Sequence, residues 1–301
     1  MIVRATENHR FHGMNSGLAG LRNQSVQVLE TLATGKNINR ISDDPQGAVS
    51  LEKLQSFMER NAQYQRNLEL IRPWVDFSLV NLEYADTLLS KAFRIAVSHS
   101  GGSAADGERQ AAVMQLDNIL KELIDTANAG LRGRYVFAGS NADAPPFSET
   151  GGDPPVVCSG DDQRLLVNAD AGMTLAYNIT GASVFVAGDG NVNVFQAVYD
   201  LKTALENNDA AGIQAQSDIL AGACEQVRLG VSRTGAIVAR MKLAENHLSV
   251  LETRVGARIS DIQDADLARV AAEYYMTDIA LQAAYSVSSQ IKEYSLINFL
   301  K

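Results

Sequence analysis

The sequence is poor in cysteine, proline, aromatic side chains and positive charge, and these shortages exclude several classes of protein. Its 301 residues include two cysteines and six prolines, and only 6% are aromatic. Two cysteines are too few for the disulfide framework of a small secreted fold. A net charge of −9 opposes generic attraction to nucleic acid or anionic membranes. No apolar run is long enough to cross a bilayer. We therefore expect no nucleic-acid partner and no membrane insertion.

Side chains suited to catalysis are also scarce. The chain has four histidines, and none is a sequence neighbour of its paired acids. Each acid pair lies at an expected helix start or turn, where capping or solvation is the simpler role. His9 and His12 share a helical face but lack further nearby ligands for a metal. We expect no catalytic residue, cofactor or metal ion. The acid pairs are Asp43-Asp44, Asp161-Asp162 and Asp264/Asp266.

What the chain does have is a seven-residue apolar repeat at both ends. Such repeats are typical of coiled-coil-like helices. The seam in residues 11–32 is broken only by Ser25, and the seam that begins at Ile213 changes phase near Asp264. The seams are Phe11, Met14, Leu18, Leu21, Val28 and Leu32; Leu68, Val75, Leu82, Leu89 and Ala96; Ile213, Leu220, Val227, Thr234, Met241, Leu248, Val255 and Ile262; and then Leu267, Tyr274 and Leu281, with Ala284 and Ile291 beside them.

Two polar linkers interrupt these helices at similar distances from the termini. Gly35 is suited to end the first helix in the left-handed conformation. Asp44 and Pro45 are suited to the N-cap and first position of the next. The second linker is expected at residues 260–266, where Ser260 with Gln263, or Asp264, would cap the last helix. If the two ends lie side by side, the linkers meet, and Lys36 or Arg40 can pair with Asp261, Asp264 or Asp266.

Proline 73 and the middle of the chain break the helical pattern. Pro73 lacks an N–H and clashes with the preceding turn, so it predicts a bend or break within a turn of Ile71. Residues 134–193 instead hold short β-prone runs between Gly, Pro, Asn and Asp clusters. The runs are 135–138, 156–158, 165–168, 174–179 and 183–187.

The expected fold is mainly α-helical with a β-rich insert. Both chain ends would form an elongated rod of coiled-coil-like helices, with a small β domain inserted in the middle. Residues 1–44 and 260–301 would form a terminal helical inner-core domain. Residues 45–133 and 194–259 would form a bundle of long helices, and residues 134–193 the inserted outer domain.

Both linkers carry a family resemblance. Residues 32–40 (LATGKNINR), followed by 42–45 (SDDP), resemble the N-terminal signature of the bacterial flagellin family. Residues 258–268 (RISDIQDADLA), continued by 282–284 (QAA), resemble its C-terminal signature. Together these motifs, in the right order, place both helical ends in that family.

Two further stretches resemble one branch of the family. Residues 133–140 (GRYVFAGS) and 295–300 (SLINFL) are similar to the junction proteins between flagellar hook and filament, rather than to the filament subunit itself. The filament subunit remains the alternative function, and an enzyme on the inserted domain is a remote one.

The resemblance implies a secreted structural subunit in a ring at the hook–filament junction. Its implied partners are hook-associated protein 1, flagellin, neighbouring copies of itself, a cytosolic export chaperone and the flagellar type III export apparatus. The first residues lack the apolar core of a cleavable signal peptide, as that export route implies.

The residues expected at assembly contacts belong to the terminal seams and the linkers. Isolated helices of this length are marginal in water, so we also expect both ends to fold only on assembly. The seam residues are Phe11, Met14, Leu18, Leu21, Val28, Leu32, Leu267, Tyr274, Leu281, Ala284 and Ile291. The linker residues are Lys36, Asn39, Arg40, Asp43, Asp44, Asp261, Asp264 and Asp266.

Overall fold

The computed structural model describes residues 2–101, 105–186, 188 and 192–300. Within these ranges, side chains are described for residue 9 and for residues 12–290. Phe11 and Ile291 therefore lie outside the residues whose side chains are described. The helices are α1 (Ile2–Thr34), α2 (Pro45–His99), α3 (Asp106–Ala127), α4 (Gly181–Phe185), α5 (Val194–Glu206), α6 (Ala210–Gln263) and α7 (Leu267–Leu300). The strands are β1 (Gly130–Leu131), β2 (Arg134–Tyr135), β3 (Phe147–Glu149), β4 (Val156–Cys158), β5 (Leu166–Asp170) and β6 (Met173–Ala176).

The chain divides into two compact units. The terminal unit contains Met1–Arg60 and Leu251–Lys301, and the central unit contains Asn61–Val250. The mainly α-helical class with a β-rich middle is confirmed. The three-part division expected from the sequence stays a proposal. No helix among the described residues combines the length and hydropathy needed to cross a membrane.

The central unit is held together by the predicted seams of α2 and α6. All five seam residues of α2 are fully buried, and those of α6 from Ile213 to Leu248 are buried as well. The two helices run antiparallel. The hydrogen bond from the side-chain amide of Asn61, near the start of the unit, to the Leu248 carbonyl, near its end, shows this direction (3.0 Å). α3 and α5 pack against the same core. The seven-residue repeat therefore predicted this core correctly.

Proline 73 does not break α2. The helix is uninterrupted from Pro45 to His99, so a break at the proline is wrong, whereas a bend there stays a prediction. Leu68, Ile71 and Val75 are buried around the proline, against residues of α6 and β6. Each such burial contributes roughly 1.5–3 kcal/mol, and the three together outweigh the roughly 3 kcal/mol cost of proline inside a helix.

The strands form three separate antiparallel hairpins within the central unit: β1–β2, β3–β4 and β5–β6. Three details differ from the sequence prediction. Strands β1 and β3 were missed, and of the run 135–138 only Tyr135 lies in a strand. Residues 183–185, expected to be a strand, belong to helix α4. The helix buries Phe185 edge-on to Phe137 and Phe147, at ring distances of 5.6 and 5.8 Å. Tertiary packing of aromatic rings therefore decides the local structure there.

The two cysteines are unpaired thiols. Cys224 is buried, as expected for a small apolar side chain, whereas Cys158 is only half-buried. Burial raises the pKa of both thiols, which favours the unreactive protonated form.

Candidate assembly interface

The two linkers are hydrogen-bonded to each other in the terminal unit. Lys36 and Asp264 form an isolated antiparallel bridge. The Asn37 N–H donates to the Gln263 carbonyl (2.7 Å), and the Ala265 N–H donates to the Gly35 carbonyl (2.9 Å). The Asn37 side-chain amide adds a bond to the Asp264 carbonyl (2.9 Å). The expectation that the linkers meet is therefore confirmed, and backbone groups hold them together.

Aspartates at the helix starts fix where each linker ends. Asp44 caps α2 by accepting from the Gln46 N–H (3.1 Å), as expected. The cap of α7 is Asp266, which accepts from the Ala268 and Arg269 N–H groups at 3.0 and 3.2 Å. The prediction of Ser260 or Asp264 as this cap is wrong, because α6 continues through Ser260 to Gln263. The second linker is therefore only residues 264–266.

Inside the first linker, Asp43 organises the backbone. Its carboxylate accepts from the N–H groups of Asn39 (3.1 Å) and Arg40 (2.8 Å). The Asn39 amide donates to the Lys36 carbonyl (3.0 Å). Arg40 pairs with Glu30 of α1 (3.1 Å), not with an acid of the second linker. Among the described residues Asp261 has no ion-pair partner and is exposed.

Two glycines make this geometry feasible. Gly35 has φ +70°, a conformation that costs a residue with a Cβ, and it closes α1 as predicted. Gly47, in the first turn of α2, was missed. A Cβ there would lie 2.4 Å from the Asp44 carboxylate and 2.6 Å from Ile38. Only packing contacts reveal this requirement, since the sequence shows just one more glycine in a helix.

The seam between α1 and α7 is thinly buried. Val28 of α1 is only 8% exposed, whereas Met14, Leu18, Leu21 and Leu32 are half-buried. On α7 the buried positions are Val270, Thr277 and Ser288. Tyr274, Leu281 and Ala284 are half-buried, and Leu267 remains 50% exposed. The seam thus covers little apolar surface for helices of 33 and 34 residues.

Large apolar side chains instead lie exposed on both terminal helices. On α1 they are Val26 and Leu29. On α7 they are Leu267, Tyr275, Met276, Ile279, Tyr285 and Val287. Many exposed large apolar side chains on one helix are typical of a protein interaction site. Among the described residues no group of three or more metal-ligating side chains is present. The exposed apolar side chains are therefore suited to docking.

In the central unit, one carboxylate holds the end of the stretch 133–140, beside the backbone hydrogen bonds of residues 135–138. Asp161 accepts from the Ser140 N–H (2.8 Å), from the Gln163 N–H (3.0 Å) and from the Ser140 hydroxyl. Gly139 has φ +78°, and a Cβ there would overlap the Asp161 carboxylate. The side chains of Val136, Phe137 and Ala138 are fully buried. This carboxylate therefore anchors the loop against the core.

We expect Asp161→Ala to lower stability in a pH-dependent way. Hydrogen bonds from Ser140 hold the pKa of Asp161 at about 2, below the ordinary value of 3.8. A depressed folded-state pKa contributes stability above the unfolded pKa, and this is lost as pH falls towards 2. The urea midpoint of the variant should thus lie below that of the parent at pH 6, and the gap should close between about pH 4 and 2.

Ser140→Ala is the matched control for this substitution, because it removes one donor and keeps the backbone N–H. Its loss should have the same sign and be smaller. A parent–variant gap that is unchanged from pH 6 to pH 2 would contradict the assignment.

Cysteines at the bridged positions should crosslink. In a chain with Cys158 and Cys224 replaced, Lys36→Cys with Asp264→Cys places two thiols at directly paired backbone positions, where Cβ atoms are roughly 4.5–5.5 Å apart. We expect disulfide formation in the assembled structure, detected by a mobility shift on a non-reducing gel. Lys36→Cys with Asp261→Cys is the control, since residue 261 lies outside the bridge. Equal yields for both pairs would contradict the paired-linker geometry.

Comparison with known proteins matches both helical ends. The N-terminal helical region of bacterial flagellin matches residues 12–142, and the C-terminal helical region matches residues 200–300. The chain belongs to the bacterial flagellin family. The two linkers that hydrogen-bond to each other fall within these two family regions, one in each.

Relatives of known name include two flagellar hook-associated proteins and a flagellin. The chain is 26% identical to flagellar hook-associated protein 3 of Salmonella typhimurium, over 93% of this chain and 94% of that protein. It is also 26% identical to the Escherichia coli protein of the same name, over 94% and 96%. Flagellin of Bacillus subtilis is 22% identical, over 95% and 96%.

Solved structures share the flagellin-family fold. A putative flagellar hook-associated protein from Vibrio parahaemolyticus has a TM-score of 0.67 at 21% identity, covering 74% of this chain and 100% of that one. FlgL of Xanthomonas campestris has a TM-score of 0.60 at 15% identity, covering 69% and 99%.

Proposed function

We infer that this chain is a structural axial subunit of the bacterial flagellum, at the junction between hook and filament. Two relatives at 26% identity over more than nine-tenths of the chain are named flagellar hook-associated protein 3. The flagellin of Bacillus subtilis has a lower identity, 22%. The location is extracellular, reached by export. The filament subunit is the alternative function.

The observation that carries this inference is the combination of paired linkers and uncovered apolar faces in the terminal unit. Residues 36 and 264 bridge, so the two chain ends are held in register. Leu29 on α1 and Ile279 on α7 nevertheless remain exposed to solvent. A surface of this kind is suited to packing against neighbouring subunits. The seam and linker residues named above are thus proposed as assembly contacts.

The proposed partners follow from a position between hook and filament. They are hook-associated protein 1 on one side, flagellin on the other, and copies of this chain in a ring. Before assembly, a cytosolic chaperone would cover the apolar face of α7, and the flagellar type III export apparatus would pass the chain unfolded. Residues 1–44 with 260–301 would form the inner core, the long helices of 45–133 with 194–259 the next layer, and residues 134–193 the outer surface.

We further propose that the chain has no enzymatic role. The insert contributes no histidine, and one of its acids, Asp161, accepts hydrogen bonds from Ser140. Members of the family are structural components, which agrees with this proposal.

The test is complementation in a strain that lacks this gene. The full-length chain should restore filaments, and immunogold labelling should mark a single short band between hook and filament. Labelling along the whole filament would contradict the junction role. Long filaments formed by the purified protein alone, seen by electron microscopy, would favour the filament subunit instead.

A further inference from the structure

A cleft in the central unit is lined by positively charged side chains, although the whole chain has a net charge of −9. It has a volume of about 450 Å³ and lies between α6 and the insert, bounded by Arg164, Arg233 and Arg240. Asp162 is its single acid, and it is already hydrogen-bonded by the Thr180 hydroxyl. Within the part of the chain that the structure describes, the three guanidinium groups have neither ion-pair nor hydrogen-bond partners. Three unpaired arginines in one cleft favour an anionic partner.

The exposed face of α6 beside the cleft is amphipathic. Leu229 and Leu243 are exposed there and lie one helical turn from Arg233 and Arg240, respectively. An exposed aliphatic side chain next to each arginine indicates a surface that contacts another helix rather than a small free anion.

The complementary surface is an acidic row on α2. Glu69, Asp76 and Glu83 are exposed and seven residues apart. Glu69 and Glu83 form no ion pair with any described side chain, and Asp76 interacts only electrostatically with Arg72. Val80, 61% exposed, lies one turn from both Asp76 and Glu83. This row therefore repeats the pattern of the cleft with the opposite charge.

The acidic row and the arginine cleft lie on opposite faces of the α2–α6 pair. Each acid follows a buried seam residue of α2, and Arg233 and Arg240 each precede one of α6. In a pair of antiparallel helices, the residues that immediately precede a seam residue in the sequence lie on one face of the pair. The residues that immediately follow a seam residue lie on the opposite face. Trp74, just before seam residue Val75, contacts Tyr177 of the insert, so the insert covers the face with the cleft.

The charges also match in spacing. Seven residues of α-helix rise about 10.5 Å, so the step from Arg233 to Arg240 equals the step between neighbouring acids of the row. Copies arranged side by side with parallel axes would bring α2 of one antiparallel to α6 of the next. Two arginines can then face two consecutive acids in the same register.

We propose that the acidic row of one copy docks into the arginine cleft of the next copy. Because the two surfaces are different and lie on opposite faces, the contact is heterologous and can repeat around a closed ring. This inference rests on the proposed function, since it specifies how neighbouring copies meet. It adds the central unit, and not only the terminal helices, to the lateral contacts.

The experiment is a charge swap in the full-length chain, expressed in the strain that lacks the gene. R233E/R240E should reduce the amount of chain retained at the hook tip at least tenfold, and E69R/D76R/E83R should do the same. A chain that carries all five changes should recover at least half of the parent amount, because copies of one variant then match each other. K91E/R94E reverses two exposed charges in the groove between α2 and α3 and should be retained normally.

The outcomes separate this inference from the proposed function. Export into the medium and the melting temperature of each monomer are measured alongside, and both should stay near the parent values because all substituted side chains are exposed. Failure of the parent chain to reach the junction would overturn the proposed function. Normal retention of R233E/R240E, loss with K91E/R94E, or loss without rescue by the five-fold swap would overturn the copy-to-copy contact while leaving the junction role in place.

Discussion

Hydrogen exchange of the purified monomer is expected to separate the two units sharply. Amides of residues 12–32 and 268–290 should exchange near the random-coil rate, whereas those of residues 213–248 in α6 should be strongly protected. The contrast should be several orders of magnitude in rate, because protection scales with the free energy of opening.

The reason lies in the small apolar burial along the α1–α7 seam. Ordering the backbone costs roughly 1–2 kcal/mol per residue, and a fully buried large apolar side chain returns roughly 1.5–3 kcal/mol. Val28 and Val270 are the large apolar side chains that the described seam buries, together with polar Thr277 and Ser288. Two helices of more than thirty residues each need further contacts, which neighbouring subunits would supply.

A truncated chain gives an independent check of the same expectation. Removing residues 291–301 should hardly move the melting transition of the monomer, while incorporation at the hook tip should fail, with export measured separately. Strong protection of both terminal segments in a verified monomer would show that the ends fold before assembly.

Phe137→Ala should destabilise the central unit severely. The Phe137 ring is fully buried and meets Phe185 edge-on at 5.6 Å, so truncation leaves a cavity and removes aromatic contacts. Losses for such changes are about 3–5 kcal/mol, a large part of the 5–15 kcal/mol that is typical of a whole domain. The expected result is a large fall in the urea midpoint. Unfolding is monitored by the fluorescence of Trp74, the single tryptophan.

Tyr275→Ala is the matched control, since this aromatic side chain of α7 is 68% exposed. The monomer midpoint should not change, and incorporation at the junction should fall instead. If Phe137→Ala unfolded at the parent midpoint, the insert would be shown not to share the core of the long helices.

The sequence predictions that proved wrong cluster where tertiary contacts override local preference. Pro73 stays inside a helix because the burial of Leu68 and Val75 outweighs its cost. Residues 183–185 are β-prone, but packing against Phe137 makes them helical. Lys36 or Arg40 was expected to reach the second linker; Lys36 forms a backbone bridge with Asp264, whereas Arg40 pairs with Glu30 near the end of α1. Each of these outcomes depends on a neighbour that no local pattern identifies.

The sequence by itself determined the buried seams of α2 and α6, the start of α2 at Pro45 and the end of α1 at Gly35, and it indicated that the chain ends could pair. These depend on periodicity and capping, which are local properties, and on two family signatures. Only the tertiary structure decided that backbone groups of residues 35–37 bond to residues 263–265, that Asp266 caps α7, and that Asp161 anchors the loop at Ser140. It also placed three arginines in one cleft. Such contacts join residues far apart in the chain, and no local pattern encodes which of several polar side chains will meet.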